Sequence, residues 1–274
     1  MNLARILSVL KSQPLYCADG YRFTLLELFQ QHDELERADF KSKRQGMARS
    51  GQELDVEDME IRDGCAIIPV GGPIGQGLGG FEKGAGAVDT DDIRAELDDA
   101  EDDDSVESII LNFDTPGGMV TGTPELGQRI LQVEKPIAAF TRGQMCSAGY
   151  WLGSACDYVF ATPSSDVGCI GVCMSFMDLS KMADMAGIKV KVFGSGDYKG
   201  MGTPGTSLTA QQEIHLQARV KQLANVFYDH VRAMRGEISD ADMQGQTFKG
   251  QQALEAGLID DLMPDLDSVI SFLK

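Results

Sequence analysis

Histidine is scarce in this chain of 274 residues: there are three, His32, His215 and His230. One lies far upstream and two lie in a single helical segment, so a Ser-His-Asp triad is poorly supported and a zinc-ligand spacing is missing. Basic residues are also in deficit, 24 Lys and Arg against 42 Asp and Glu, for a net charge of −18. That balance argues against nucleic acid or an anionic membrane as partner, because both require clustered positive charge. No apolar run approaches the ~18–20 residues of a bilayer span. The start, Met1 to Lys11, has too short an apolar centre and no small-residue cleavage site for a secretory signal, which places the protein in a cytoplasm. The six cysteines, Cys17, Cys65, Cys146, Cys156, Cys169 and Cys173, form no C-x-x-C pair. They are expected to be reduced, small core residues. The glycine-rich stretch Gly75 to Gly86 lacks the G-x-x-x-x-G-K-[ST] pattern, so it does not read as a phosphate loop.

What is present is a globular composition, 43% hydrophobic and 24% charged. The length suits one large domain or a domain with an appendage. Residues 1–60 show helical spacing and then a polar stretch, and are expected to form an N-terminal arm and linker outside a main domain of residues 61–274. Within that domain short apolar runs alternate with helical patterns, as an α/β core requires. Strands are expected at Cys65–Val70, Ser108–Phe113 and Pro136–Phe140, with two further short apolar runs at Tyr158–Ala161 and Gly168–Val172. Lys189–Phe193 alternates at period two, as a half-buried strand should. Helices are expected over Thr123–Val133 and from the capping box at Thr209 to Gly236. A last helix ends at Gly257 and leads into a strand. Asp89 to Glu107 holds eleven acids and one base, Arg94, and reads as a solvated helix face, with Ile93 and Leu97 at an i, i+4 spacing that suits a surface helix.

Three loops, each after an expected strand, could converge on one site. Pro116-Gly117-Gly118 presents backbone N–H groups with no side chain in the way, and such donors stabilise an oxyanion. Gly143-Gln144-Met145-Cys146-Ser147-Ala148-Gly149-Tyr150-Trp151 places a serine between small residues at a strand-to-helix junction. Gly194 to Gly200 carries Lys199. A serine nucleophile needs a base, and a lysine serves when burial keeps its amine neutral.

These blocks, followed in order by Gly168-Cys169-Ile170-Gly171-Val172, Gly196-Asp197-Tyr198-Lys199 and the closing Phe248 to Asp260, resemble the signal peptide peptidase A family. The likeness runs from about Cys65 to Asp260. It implies an α/β, ClpP/crotonase-like spiral of ββα units with an N-terminal helical arm, and a serine endopeptidase with a Ser-Lys dyad. Carried onto this chain, Ser147 is the nucleophile and Lys199 the base. The N–H groups of Gly117 and Ala148 form the oxyanion hole, with Gly118 shaping the turn. Cys169 stands where family members commonly place a serine that helps hold the lysine amine, and a thiol bonds more weakly. No cofactor and no metal are implied. The substrate is polypeptide in unfolded or flexible segments, and the partner is a second copy of the chain. The resemblance favours a homo-oligomeric ring with the dyad completed between subunits, rather than nucleic acid or membrane. Lack of a membrane-spanning run points to the branch that processes scaffold or capsid proteins during phage or prophage head assembly, in host cytoplasm or prohead. The rival readings are a housekeeping peptidase without an anchor, a crotonase-type acyl-CoA enzyme, and a catalytically weak ring-forming assembly protein.

Overall fold

The segment Cys65–Gly71 shows why the core forms where it does. It is buried continuously from Cys65 to Ile68 rather than at every second residue, the mark of a strand covered on both faces. The computed structural model describes residues 59–274 together with a short strand at Leu15–Cys17. The rest of the expected arm lies outside the described residues.

Numbered along the chain, the strands are β1 (Leu15–Cys17), β2 (Glu60–Arg62), β3 (Cys65–Gly71), β4 (Ile74–Gly75), β5 (Val88–Asp89), β6 (Ser108–Thr115), β7 (Gly117–Met119), β8 (Ile137–Cys146), β9 (Tyr158–Ala161), β10 (Asp166–Gly168), β11 (Thr247–Lys249) and β12 (Asp261–Leu262). The helices are α1 (Gly80–Gly84), α2 (Thr90–Asp102), α3 (Thr123–Ile130), α4 (Ala148–Ser154), α5 (Ser180–Met185), α6 (Ala210–Arg235), α7 (Gly250–Glu255) and α8 (Leu266–Leu273). A large sheet runs β11-β10-β8-β6-β3-β2, with β3, β6, β8 and β10 parallel. The first half of β8 pairs with β9 and its last three residues pair with β10. A small sheet runs β1-β7-β4-β5. The chain thus repeats a unit of long strand, short strand and helix, as in β3-β4-α2 and β6-β7-α3, which is the ββα spiral of a mixed α/β fold.

One face of the large sheet carries the main core. Ile68, Leu111 and Phe113 pack there with Ile93 and Leu97 of α2, Leu126 of α3, Tyr150 of α4 and Phe227 of α6. The acidic segment is therefore amphipathic, as Ile93 and Leu97 suggest, and both are fully buried. The other face is covered by α8, whose Val269 and Ile270 meet Ile67, Ile110, Ala138 and Phe140. Burial of a leucine-sized side chain is worth about 1.5–3 kcal/mol, so these two faces carry most of the fold's stabilisation.

Three expectations change. β8 continues to Cys146, so the residues just before Ser147 are strand, not loop. Gly168–Val172 supplies strand only as far as Gly168. Lys189–Phe193 is not a strand: it has no regular structure, and Phe193 is 92% exposed. Its alternating residues meet no second strand among the described residues, and period-two patterning alone supplies no partner.

Candidate active site

β8 delivers Ser147 to the start of α4, and the junction is strained. Ser147 has φ 55° and ψ −113°, outside the left-handed well that a serine tolerates. Such a conformation costs about 1–3 kcal/mol and persists only where surrounding structure enforces it. Here the Ser147 N–H donates to Gly168 O at 2.8 Å, and the Trp151 N–H donates back to Ser147 O at 2.9 Å. The α4 side is anchored by Tyr150, whose hydroxyl donates to Leu258 O at 2.8 Å. The Ser147 side chain caps nothing, its residue is 1% exposed, and its hydroxyl has no hydrogen-bond partner among the described residues. A buried hydroxyl without a partner loses about 1–3 kcal/mol that a water or protein partner would supply. Ala148 is the first residue of α4, so its N–H belongs to the helix-start amides that find no acceptor within the helix.

The glycine loop lies against the same helix. A Cβ on Gly149 would stand 2.3 Å from Thr115 Cγ2, and one on Gly118 would stand 1.9 Å from Ile74 O. Both glycines are required by close approach. Gly117 has φ 108°, and its N–H donates to Thr115 Oγ1 at 3.1 Å. Thr115 in turn donates to Gly72 O at 2.6 Å. Thr115 therefore ties β7 to the loop after β3 while its methyl group fills the space beside α4. Sequence reading passed over this threonine; its one signal was a position at the end of an apolar strand directly before Pro116-Gly117-Gly118.

Cys169 follows β10 and is buried, with φ 53° and its N–H donating to Gln246 O at 2.8 Å. Through the Gly168 carbonyl it sits next to Ser147 in the backbone network. Cys146, the residue before Ser147, is no rival nucleophile: burial pushes its thiol well above the ordinary range, away from the reactive thiolate. His230 is packed against α4. Its ring stacks on Trp151 with centroids 4.4 Å apart, and Nε2 lies 3.0 Å from Trp151 O and 3.2 Å from Ser154 Oγ.

Lys199 stands apart from this assembly. Every residue from 191 to 200 is exposed, and the Lys199 ammonium makes no hydrogen bond or ion pair among the described residues. Its loop is nonetheless held. The Tyr198 ring lies 4.6 Å from that of His215, and Gln212 Nε2 donates to Asp197 O at 2.5 Å. Both anchors belong to the first half of α6, which is itself unburied; Ile214 there is 66% exposed. The described structure places Ser147, Ala148, Gly117, Gly118 and Cys169 together, and does not bring Lys199 to them within one chain.

The family model described as peptidase family S49 matches residues 129–273. The chain belongs to peptidase family S49. The matched span contains Ser147, Cys169 and Lys199, and begins after the Gly117-Gly118 loop. Among curated S49-like relatives, the chain is 32% identical over 213 residues to the head-tail preconnector protein GP5 of Enterobacteria phage P21, covering 76% of this chain and 42% of that one. It is 30% identical over 214 residues to the capsid assembly protease C of Escherichia phage lambda, covering 77% and 49%. To a putative signal peptide peptidase SppA of Enterococcus faecium it is 25% identical, covering 65% and 54%. The chain spans about half the length of these relatives. Among solved structures, an enoyl-CoA hydratase/isomerase family member matches with a TM-score of 0.44 at 16% identity, covering 78% of this chain and 71% of that one. No helix of the described residues is long and apolar enough to cross a membrane, and no group of His, Cys, Asp or Glu among them could hold a metal ion.

Proposed function

We propose that this S49 chain is a serine endopeptidase whose Ser-Lys dyad is completed between subunits. The observation that carries the reading is the strained, enclosed Ser147, with a hydroxyl free to be activated and helix-start amides beside it. Ser147 Oγ attacks the scissile carbonyl carbon and forms the C–O bond as its proton passes to the amine of Lys199. The negative charge that develops on the carbonyl oxygen is held by backbone N–H groups. Collapse of the intermediate breaks the C–N bond, and the lysine ammonium returns the proton to the leaving amine. Water, deprotonated by the same lysine, then hydrolyses the acyl-enzyme.

The Ala148 N–H is one donor to the oxyanion. The second donor is the Gly117 N–H of the glycine loop, which rests on Thr115 Oγ1 before the oxyanion forms, with Gly118 shaping the turn. On this reading Cys169 takes the position from which a serine commonly helps hold the lysine in the family.

Completion between subunits is supported by the Lys199 side of the molecule. Met177, Met182, Met185, Ile188, Val192 and Phe193 are all exposed on the segment that leads to Lys199. An apolar surface of this extent is the kind that a second copy covers. A ring closed this way would admit unfolded or flexible chains. The named relatives support scaffold or capsid proteins of a phage or prophage head as substrate, in host cytoplasm or prohead. The weak-enzyme reading, an assembly protein built on this fold, is favoured by Cys169 alone.

The test is cleavage of denatured casein and labelling by a serine-directed phosphonate, for the parent beside Ser147→Ala and Lys199→Ala. The expected result is labelling at Ser147 in the parent and loss of cleavage in both variants by a factor of about 10³ or more. Unchanged cleavage in both variants overturns the dyad; no cleavage by any form favours the assembly protein.

A further inference from the structure

The small sheet has an unexpected outer member. β1 runs antiparallel to β7, with Leu15 opposite Met119, Tyr16 opposite Gly118 and Cys17 opposite Gly117. On its other side β7 pairs with β4 through Ile74 and Gly118. Without β1, β7 would be an edge strand, with a row of main-chain donors and acceptors open to an incoming extended chain. This is the strand that carries the Gly117-Gly118 amides of the site.

Direction matters as much as pairing. Because β1 is antiparallel, its chain advances from Met119 towards Gly117, the end of β7 that follows Thr115 and lies against α4. A polypeptide laid on this edge in the same sense would lead its carbonyls towards the start of α4, where Ser147 stands. In the same full chain the Ser147 hydroxyl is closed off from solvent.

We propose that Leu15–Cys17 is a built-in stand-in for substrate, occupying by strand addition the edge of β7 that an extended polypeptide must take to reach Ser147. The proposal rests on the reading of Ser147 as nucleophile. β1 belongs to the same chain as β7, so it meets that edge as an intramolecular partner, at an effective concentration far above that of a dilute substrate. Three paired residues bind weakly, so the strand does not shut the site permanently. It raises the concentration of substrate needed to displace it and favours long or locally concentrated chains, such as those packed inside an assembling shell, over dilute ones.

The experiment uses the full chain carrying L15P/Y16P. Proline removes the backbone N–H and is excluded from a paired strand interior, so two successive prolines disrupt β1 whichever residue donates. Two readouts are taken against the parent: hydrogen exchange of the Gly118 and Met119 amides, and the kinetics of denatured casein cleavage. Exchange is expected to accelerate by about tenfold or more on loss of pairing. KM is expected to fall by about five- to tenfold at unchanged kcat, because only competition for the strand edge is removed. Equal exchange in both proteins overturns the proposal whatever the activity. Faster exchange with unchanged KM also overturns it, since the strand would then compete with nothing. Failure of the Ser147 reading has a separate signature, the absence of phosphonate labelling in both proteins.

Discussion

Ser147 and Lys199 belong to regions built on opposite terms. Residues 145–156 are buried without a break, and each part of the Ser147 junction is fixed by something specific: Gly168 O, Leu258 O, the Thr115 methyl group. Residues 191–200 are exposed without a break, and the loop is held at Asp197 and Tyr198 by a helix half that is itself uncovered. The first region is complete inside one chain. The second has its shape but lacks the surface that would bury it. A nucleophile can be prepared in advance by strain and packing, whereas a lysine base depends on desolvation, which in the proposed dyad a neighbouring subunit supplies.

The strongest way to break the prepared half is Gly118→Ala, since its Cβ would collide with the Ile74 carbonyl. Backbone must shift to admit it, and a cost of about 3 kcal/mol or more is expected. The check is thermal unfolding by circular dichroism together with phosphonate labelling, both of which should fall sharply. The unfinished half responds differently. Phe193→Glu should leave the unfolding curve of the isolated chain close to the parent's, because the side chain touches little within it. It should reduce the assembled mass measured by light scattering and lower casein cleavage by roughly tenfold or more, in line with loss of an aromatic anchor at an interface.

A smaller effect sharpens the join between the two halves. Cys169→Ser replaces a weak hydrogen-bonding group with a stronger one beside the Ser147 backbone network. A rise in kcat of about two- to fivefold is expected, with KM unchanged, if residue 169 positions the lysine. The smallest effect belongs to the prepared half alone. Burial holds the His230 imidazole below its ordinary value, against the opposing pull of its bond to the Trp151 carbonyl. The unfolded chain therefore takes up the proton first. The contribution of neutral His230 is fully present above about pH 6.5 and is lost as pH falls from there through the folded-state value. Between about pH 7.5 and about pH 5, Tm should drop by about 2–4 °C more in the parent than in His230→Gln.

The two halves were also unequally legible in the sequence. Around Ser147 local signals agreed with one another: an apolar run, small residues, then helix formers. The structure extends the strand there to Cys146 and leaves the junction in place. The acidic helix was readable because Ile93 and Leu97 share a face whatever surrounds them. The strain at Ser147 and the bond from Gly117 to Thr115 were not readable, since both are set by contacts distant in sequence. Lys189–Phe193 misled for a related reason: alternation records which faces differ, and says nothing of whether the covering partner lies in the same chain. The pairing of Leu15–Cys17 with β7 left no trace in composition or periodicity at all.

Complementation between two dead variants tests the account most directly. Ser147→Ala retains Lys199, and Lys199→Ala retains Ser147, and the proposed dyad requires each to be inactive alone. Unfolded together and refolded as a mixture, they should regain casein cleavage to about a quarter of the parent's level, because random assembly pairs an intact serine with an intact neighbouring lysine in about one site of four. Mixed oligomers that form, as shown by tagged co-purification, and yet cleave no better than either variant alone would contradict a dyad completed between subunits.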